Sequence, residues 1–469
     1  METSSTKQFN INDYLRFIAI VIASLVLLSL IFPKDGITVG KITLRFPTIR
    51  SVLTKNQREC KYLADSGKGR EVPAETADSI NYLRSLLFEG DCRIWLPGDN
   101  EAFMDRFFAA AEKAQERGSI VRVLHYGDSQ IESDRMTGRL RDRLQTLYGG
   151  GGPGLIPLQQ PIPSYAVDQK TIGNPVGQST YGRGNFVKAN GNYGPMMRSW
   201  RTVGATTLTV KATVNRGASD KVKRFSTVRI YFNNRPGPLS AKLTDTKGGT
   251  TVTGISKKEG VQSIGWQLDS TTSAITLSLS GQSDIYGVSV DDGAGVAVDN
   301  ISMRGVSGQQ FKMVDSVQLA ESYRIMNVGM IIMQFGGNSV PYLKDEKSVA
   351  HYCKLMGIQI DYLHNVCPDV PILFIGPSDM STKVDGNLAS YSMLASVVDC
   401  LRSTVLEHGA AFWSIYDAMG GEGSMIEWVN GGIAEHDYLH FNHKGANLMG
   451  DKLSDIFEWM YELYKYRKR

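Results

Sequence analysis

Before residue 160 and after residue 300, the spacing of apolar residues switches repeatedly between a strand pattern and a helix pattern. Short apolar or alternating runs are followed by longer segments in which apolar residues recur every three or four positions. The predicted strands cover residues 121–126, 328–334, 371–375 and 411–416, and the predicted helices cover residues 99–117, 347–366, 390–408 and 445–464. Alternation of this kind is typical of a parallel sheet flanked by helices, so the pattern predicts an α/β domain.

A different pattern occupies roughly residues 164–299. Short runs such as residues 206–214, 227–232 and 274–279 alternate between apolar and polar positions and are rich in Thr, Val and Ile. Gly, Asn and Asp residues separate these runs, as turns separate strands, and no long helical pattern interrupts them. The segment therefore predicts a β-sandwich, jelly-roll-like in type, inserted into the α/β domain.

Near the N-terminus, residues 17–32 read FIAIVIASLVLLSLIF and carry no charge. Together with Tyr14 and Leu15 they approach the ~20 residues that a membrane-spanning helix needs. A cleaved signal peptide is the main alternative, but no A-x-A-like site follows, since Pro33 and Lys34 come next. We therefore expect an uncleaved transmembrane signal anchor.

Composition narrows the function classes. The 469 residues exceed one ordinary domain, and the formal net charge of +4 is small for that length. No basic run or aromatic–basic interleaving suggests a nucleic-acid partner. Of the five cysteines, Cys60 and Cys92 could pair in an oxidising compartment. Cys353 and Cys367 fall on one predicted helix, ~21 Å apart, which is too far for a disulfide.

Three short motifs carry the candidate chemistry. The strand at 121–126 runs directly into Gly127-Asp128-Ser129, and a helical pattern follows it. A serine at a strand-to-helix turn is held clear of the sheet, beside the unpaired N–H groups of the helix start. Asn338 also follows a predicted strand, so it shares the carboxyl edge of the sheet with Ser129. Asp437 and His440 supply a base and its orienting partner, which a serine hydroxyl needs to become a nucleophile.

These residues resemble the motifs of the SGNH (GDSL-type) serine esterases. That family has a Gly-Asp-Ser turn near its start, an isolated glycine, a Gly-x-Asn motif and a closing Asp-x-x-His motif. The matching positions in this chain are Ser129, Gly305, Asn338, Asp437 and His440. The resemblance covers roughly residues 99–160 and 300–469. Two neighbouring positions depart from the family pattern, with Gln130 in place of the usual leucine and Ser339 in place of a frequent aspartate.

The resemblance implies a three-layer, flavodoxin-like α/β fold with a parallel sheet, and a serine mechanism. Ser129 is then the nucleophile, His440 the base, and Asp437 the residue that orients the base. The oxyanion hole would consist of the backbone N–H groups of Ser129 and Gly305 and the side chain of Asn338. The resemblance implies neither a metal nor an organic cofactor.

The β insertion between Ser129 and Gly305 narrows the resemblance to the peptidoglycan O-acetylesterases, which carry a carbohydrate-binding-like β domain at this point. An acetylated glycan polymer, peptidoglycan above all, is then the expected substrate. A single-pass anchor in a bacterial inner membrane is also implied, with the catalytic domain in the periplasm or otherwise outside the cytoplasm. The expected order is a tail and anchor at 1–33, a stem at 34–95, hydrolase parts at 96–163 and 300–469, and the β domain at 164–299.

Several alternatives remain open. His436, His440 and His443 could suggest a metal site, although they lack a helical i, i+4 pair. Gly308 is a neighbour that could serve in place of Gly305. Trp200 and the tyrosines of the insertion could stack on sugars, although such aromatics usually belong to the core. The site could transfer acetyl to another sugar, or act on another acetylated polysaccharide or a lipid. A tethered carbohydrate-binding protein is the non-enzyme alternative.

Overall fold

The computed structural model describes residues 16–17, 20–21, 37–39, 42–44 and 77–469, except for residues 183–190, 216 and 249. Most of the expected anchor at 17–32 lies outside the described residues, as does Cys60, so its pairing with Cys92 stays a prediction. Among the helices that are described, none combines the length and the apolar character needed to cross a membrane. In the N-terminal part, strands β1 (Ile37–Val39) and β2 (Ile42–Leu44) pair in antiparallel fashion.

The rest of the chain contains the elements on which the site is built. The helices are α1 (Ala77–Phe88), α2 (Asp105–Glu116), α3 (Thr137–Tyr148), α4 (Ser316–Met326), α5 (Glu346–Val366), α6 (Leu394–Glu407), α7 (Ile415–Met419), α8 (Ser424–Asn430) and α9 (His443–Lys468). The strands of the first sheet are β3 (Ile94–Trp95), β4 (Ile120–Gly127), β16 (Gly295–Ser302), β17 (Val328–Gln334), β18 (Ile372–Ile375) and β21 (Ala411–Trp413), and a separate hairpin consists of β19 (Ser381–Val384) and β20 (Asn387–Ser390).

The first sheet has the strand order β16-β4-β17-β18-β21-β3, and its first five strands run parallel. Only β3, at the edge, is antiparallel to its neighbour. Because successive strand residues face opposite sides, Leu124 and Tyr126 pack into a core shared with α4, α5 and α6. On the other side, Phe107 of α2 contacts Tyr148 of α3 and Phe457 of α9. The predicted α/β fold, with helices on both faces of a parallel sheet, is confirmed.

Between β4 and β16 lie two antiparallel sheets that share one hydrophobic core. Their strands are β5 (Gly151–Ile156), β6 (Val167–Ile172), β7 (Val176–Ser179), β8 (Arg198–Arg201), β9 (Thr206–Ala212), β10 (Phe225–Asn233), β11 (Leu239–Asp245), β12 (Thr250–Ile255), β13 (Gln262–Thr272), β14 (Ala274–Gly281) and β15 (Asp284–Asp292). We refer to this pair of sheets as the β-sandwich. Burial alternates along strands such as β14, as the sequence pattern predicts.

A buried ion cluster joins the β-sandwich to the parallel sheet. Arg122 of β4 donates to Asp299 of β16, with 3.0 Å between Nη1 and Oδ1, and also pairs with Asp291 of β15. All three side chains are almost fully buried. A buried charge is costly unless it is paired, so the cluster fixes how the two layers meet.

Two local predictions are wrong. Helix α2 begins at Asp105, with Met104 at its N-cap, and not after Asp99. Pro97 and Gly98 instead form a 3₁₀ turn in which Asp99 has a φ of 51°, outside the extended conformation of an N-cap. The strand expected over residues 411–416 ends at Trp413, because the Ser414 side chain accepts a hydrogen bond from the Asp417 N–H and caps α7.

Candidate active site

The structure brings Ser129, His440 and Asp437 into one unbroken hydrogen-bonded chain. The Ser129 Oγ lies 2.7 Å from the His440 Nε2, and the His440 Nδ1 lies 2.7 Å from the Asp437 Oδ2. The Nδ1 proton faces a carboxylate, so the neutral ring presents Nε2 as the acceptor toward the serine hydroxyl. This arrangement can remove the serine proton and hold the resulting imidazolium.

Asp437 is fixed by the turn that leads to the histidine. Its Oδ1 accepts hydrogen bonds from the backbone N–H groups of Leu439, at 2.9 Å, and His440, at 3.0 Å. Partial burial works to raise the pKa of Asp437, but the hydrogen bonds from the His440 ring and from these N–H groups outweigh it and hold the pKa below its usual value. Asp437 therefore stays ionised, which is the state that can stabilise a charged histidine.

Ser129 is placed by an abrupt turn at the end of β4. Gly127 ends the strand, and a Cβ there would lie 2.9 Å from the Ile131 side chain. A 3₁₀ turn, Ser129–Asp134, follows in place of the expected α-helix, which starts only at Thr137. The left-handed conformation of Ser133, with a φ of 60°, breaks the helical path between them.

Gln130 ties the serine turn to the histidine loop. Its Nε2 donates to the Leu439 carbonyl at 2.8 Å, and its Oε1 accepts from the Phe441 N–H at 3.2 Å. The carboxamide therefore holds the backbone on both sides of His440. In the sequence, Gln130 stands out only as a departure from the family pattern. The signal for this contact was the presence of a polar residue where an apolar one is usual.

Arg135 makes a second tie between the same two segments. It donates to the Ser129 carbonyl at 2.7 Å and to the Phe441 carbonyl at 2.9 Å. Nothing in the sequence pattern predicted this contact, because the two partners are backbone atoms separated by about three hundred residues. Ser129 and His440 are thus held by contacts outside the hydrogen-bonded chain that joins them to Asp437.

Asp128 directly precedes Ser129 in the chain and is 4% exposed. Its Oδ1 accepts from the Gln130 N–H at 2.9 Å, and its Oδ2 accepts from the Asn338 Nδ2 at 3.1 Å. Burial raises the pKa of Asp128 to about 6, although these hydrogen bonds and the nearby His440 and Arg135 act to lower it.

Asn338 is brought to the site, as predicted, by the turn that follows β17. Its Nδ2 donates to the Val306 carbonyl at 3.1 Å as well as to Asp128. A carboxamide nitrogen has two hydrogens, so both are occupied in this conformation. To bind an oxyanion, Asn338 must exchange one of these partners for the substrate oxygen.

Gly305 lies in the exposed loop after β16, with a φ of 75° that favours glycine. Its neighbours connect it to the site: Val306 accepts the hydrogen bond from Asn338, and Arg304 pairs with Glu132, with 2.9 Å between Nε and Oε1. The alternative Gly308 is buried, and a Cβ there would lie 2.9 Å from Phe335. Gly305 lines a cavity next to the one that contains Ser129, so its part in the oxyanion hole stays a prediction.

A small pocket of about 150 Å³ contains the reactive groups. Ser129, Asn338 and His440 line it together with apolar side chains of Phe335, Pro377, Met380 and Leu439, and with Tyr342. A separate cavity of about 830 Å³ is lined by Arg304 and Gly305 and by Arg198 and Trp200 of the β-sandwich. The larger cavity does not include the serine, so we assign the chemistry to the smaller pocket.

Three other histidines are not part of this hydrogen-bonded chain. His125 is fully buried and bonded to Gln334 and Thr137, and burial lowers its pKa to about 4. His436 is exposed, and His443 packs edge-on against Tyr165 with ring centroids 5.3 Å apart. Within the described part of the chain, no group of three His, Cys, Asp or Glu side chains is arranged to hold a metal ion.

Comparison with solved structures places this geometry in a known fold. The chain is similar to a structure described as a peptidoglycan O-acetylesterase in action, with a TM-score of 0.60 and 21% identity over 80% of this chain and 100% of that one. The chain has the fold of an SGNH (GDSL-type) esterase. The resemblance read from the sequence is thus confirmed at the level of the fold.

Two further similarities are weaker. A family two carbohydrate esterase from Cellvibrio japonicus has 11% identity and a TM-score of 0.24, over 62% of this chain and 99% of that one. A family 2 carbohydrate esterase with a carbohydrate-binding domain from Corynascus thermopiles (Myceliophthora fergusii) has 12% identity and a TM-score of 0.25, over 55% and 95%. The sequence matches no protein-family model and no curated protein.

Proposed function

We propose that this chain is a serine esterase that removes O-acetyl groups from a cell-wall polysaccharide, with peptidoglycan as the polymer, through an acyl-enzyme. The observation that carries the proposal is the unbroken chain from Ser129 through His440 to Asp437, with 2.7 Å at both links. The similarity to the solved peptidoglycan O-acetylesterase over most of this chain supports the choice of polymer.

The first half of the reaction forms the acyl-enzyme. The Ser129 Oγ attacks the ester carbonyl carbon while the His440 Nε2 takes the hydroxyl proton, and the carbonyl electrons move onto oxygen. When this tetrahedral intermediate collapses, the bond to the sugar oxygen breaks, and His440 gives its proton to that oxygen. The deacetylated sugar leaves, and the acetyl group remains on Ser129.

The second half repeats these steps with water. His440 takes a proton from the attacking water, and the new tetrahedral intermediate expels the Ser129 oxygen, which recovers its proton from His440. Acetic acid is released, and it ionises in neutral solution. The ionised Asp437 stabilises the imidazolium in both halves without accepting its proton.

The oxyanion is held by the N–H groups of Ser129 and Gly305 and by the Asn338 side chain. Loss of one such donor commonly costs ~10²–10³ in rate. Asn338 joins this set by giving up its hydrogen bond to the Val306 carbonyl, while Asp128 keeps the other amide hydrogen and the carboxamide in place. The buried carboxylate of Asp128 thus acts as the support for an oxyanion donor.

The wider assignment concerns the polymer and the compartment. The β-sandwich is the proposed carbohydrate-binding layer. Arg122 pairs with Asp291 of this layer and with Asp299 of the catalytic sheet, so a glycan strand bound to the β-sandwich would keep its position relative to the pocket. We further propose that residues 17–32 anchor the chain in a bacterial inner membrane, with the catalytic part outside the cytoplasm. The uncharged apolar run supports this proposal.

Acetate release from two polymers tests the proposed substrate. The purified full-length chain is incubated with O-acetylated peptidoglycan and, separately, with acetylated xylan, and the released acetate is measured. We expect a kcat/KM at least tenfold higher on peptidoglycan. An equal or higher value on xylan would contradict the choice of polymer, and release from neither would contradict the proposed activity on polysaccharide.

A further inference from the structure

An exposed aromatic side chain stands at the mouth of the reactive pocket. Tyr342 lines the same pocket as Ser129 and His440, and it is 79% exposed. It is the most exposed aromatic side chain among the described residues. Neither the triad nor the oxyanion hole uses it, and its hydroxyl group makes no hydrogen bond to the described part of the chain.

The backbone that carries Tyr342 is well anchored although the ring is exposed. The 3₁₀ turn Val340–Tyr342 starts two residues after Asn338, and the Tyr342 N–H donates to the Ser339 carbonyl at 2.9 Å. Val340 is 1% exposed and belongs to the core, and Pro341 restricts the backbone between them. The backbone at Tyr342 is therefore fixed four residues after Asn338, so little loop ordering is needed to present the ring.

The size of the pocket indicates what reaches Tyr342. Its volume of about 150 Å³ is below the ~300–1,000 Å³ of typical ligand pockets, so it suits a short acyl group. When the acetyl carbonyl lies at Ser129, the sugar that carries the ester must lie at the mouth. One face of a pyranose ring presents mainly C–H groups, and an exposed tyrosine ring offers a flat apolar surface with a negative face to them.

We propose that Tyr342 is the platform on which the acetylated pyranose stacks, so that it selects glycan esters over other acetate esters. This inference rests on the proposed function and adds the residue that recognises the sugar. From the sequence, Trp200 of the β-sandwich could have stacked on a sugar, but it is 2% exposed and belongs to the core of that layer. The platform is instead supplied by the hydrolase part, four residues after Asn338.

The test compares Tyr342→Ala, Tyr342→Phe and a matched control, Tyr466→Ala. Tyr466 is 48% exposed near the end of α9, ~35 Å along that helix from its start at His443. Each full-length variant is assayed on O-acetylated peptidoglycan and on ethyl acetate, which, unlike p-nitrophenyl acetate, has no aromatic ring to stack. The ratio of kcat/KM on glycan to kcat/KM on ethyl acetate is the readout.

Tyr342→Ala should lower this ratio about tenfold, mainly through KM on the glycan, since burial of an aromatic face contributes on that order. Tyr342→Phe should keep the ratio, because stacking does not need the hydroxyl, and Tyr466→Ala should leave it unchanged. An unchanged ratio in Tyr342→Ala, or equal losses on both substrates, would overturn the platform while leaving the proposed function intact. A wild type that cleaves ethyl acetate but no acetylated glycan would overturn both. A dimer that only Tyr342→Ala dissociates would assign the ring to an interface between copies instead.

Discussion

Asp128→Asn should stabilise the folded protein and impair the enzyme at the same time. The carboxyl group is 4% exposed, and burial raises its pKa to about 6 from an ordinary value of 3.8. The folded state therefore binds the proton more tightly than the unfolded chain does. Its contribution is fully present below pH 3.8 and is lost as the pH rises through about 6.

The size of the effect follows from the difference between the two pKa values. A rise of the pKa from 3.8 to about 6, at ~1.36 kcal/mol for each tenfold change in proton affinity, means that keeping the ionised group buried at neutral pH costs about 3 kcal/mol. Asparagine has nearly the same shape and does not ionise. The free energy of unfolding of Asp128→Asn, measured relative to wild type, should thus rise by roughly 2–3 kcal/mol between pH 4 and pH 8.

Urea unfolding of both proteins at pH 4, 5, 6, 7 and 8 measures this difference, and the contributions of titrating groups that do not interact with Asp128 cancel when the two are subtracted. The activity should move the other way. Asparagine at 128 presents one oxygen and one NH₂ group, so it cannot accept from both Gln130 and Asn338. We expect kcat to fall by ~10²-fold, as it does when an oxyanion donor is misplaced.

A double-mutant cycle connects the two effects. If Asp128 acts through Asn338, the double variant Asp128→Asn/Asn338→Ala should have the same kcat as Asn338→Ala alone. If the difference in unfolding free energy between Asp128→Asn and wild type does not change with pH, the claim that burial raises the pKa of Asp128 is refuted. Fully additive losses in kcat would refute the claim that Asp128 supports the oxyanion donor.

Three further predictions follow from the same geometry. His440→Ala should reduce p-nitrophenyl acetate hydrolysis to background while His436→Ala keeps most of it, and restoration of activity by zinc after chelation would contradict this assignment. Gln130→Ala should lower kcat by about 10²-fold with little change in KM, because it frees the loop that carries His440; an unchanged kcat would show that the tie is dispensable. Alkaline phosphatase fused after Arg469 should be active in a bacterial host, whereas activity only of a cytoplasmic reporter would overturn the proposed topology.

The motifs of Ser129 and Asn338 were readable from the sequence because each one follows a strand that the apolar pattern marks, whereas Asp437 and His440 were recognised by their spacing alone. Val328–Gln334 was predicted to the residue, and it leads directly to the turn that carries Asn338. Ser129 and Asn338 could be placed at one edge because parallel strands end together there. The supporting contacts could not be predicted, since Gln130 and Arg135 bind backbone atoms of a loop that only the folded chain brings near.

Other features of the structure could not be predicted from the sequence, for identifiable physical reasons. The 3₁₀ turn after Ser129 depends on left-handed residues such as Ser133, which no apolar period reveals. The early end of the strand at Trp413 depends on a cap made by one serine side chain. Tyr342 could not be distinguished from a core aromatic by sequence, because exposure is a property of the packed chain and not of the residue type.

The central claim is that Ser129 is the nucleophile of an acetylesterase. Acetate release from O-acetylated peptidoglycan by wild type and by Ser129→Ala, with circular dichroism to compare their folds, tests it most directly. We predict rapid acetate release by wild type. Ser129→Ala should release acetate at ~10⁻³ of the wild-type rate or less, and the circular dichroism spectra of the two proteins should superimpose. A folded Ser129→Ala variant that keeps most of the wild-type rate would contradict the account.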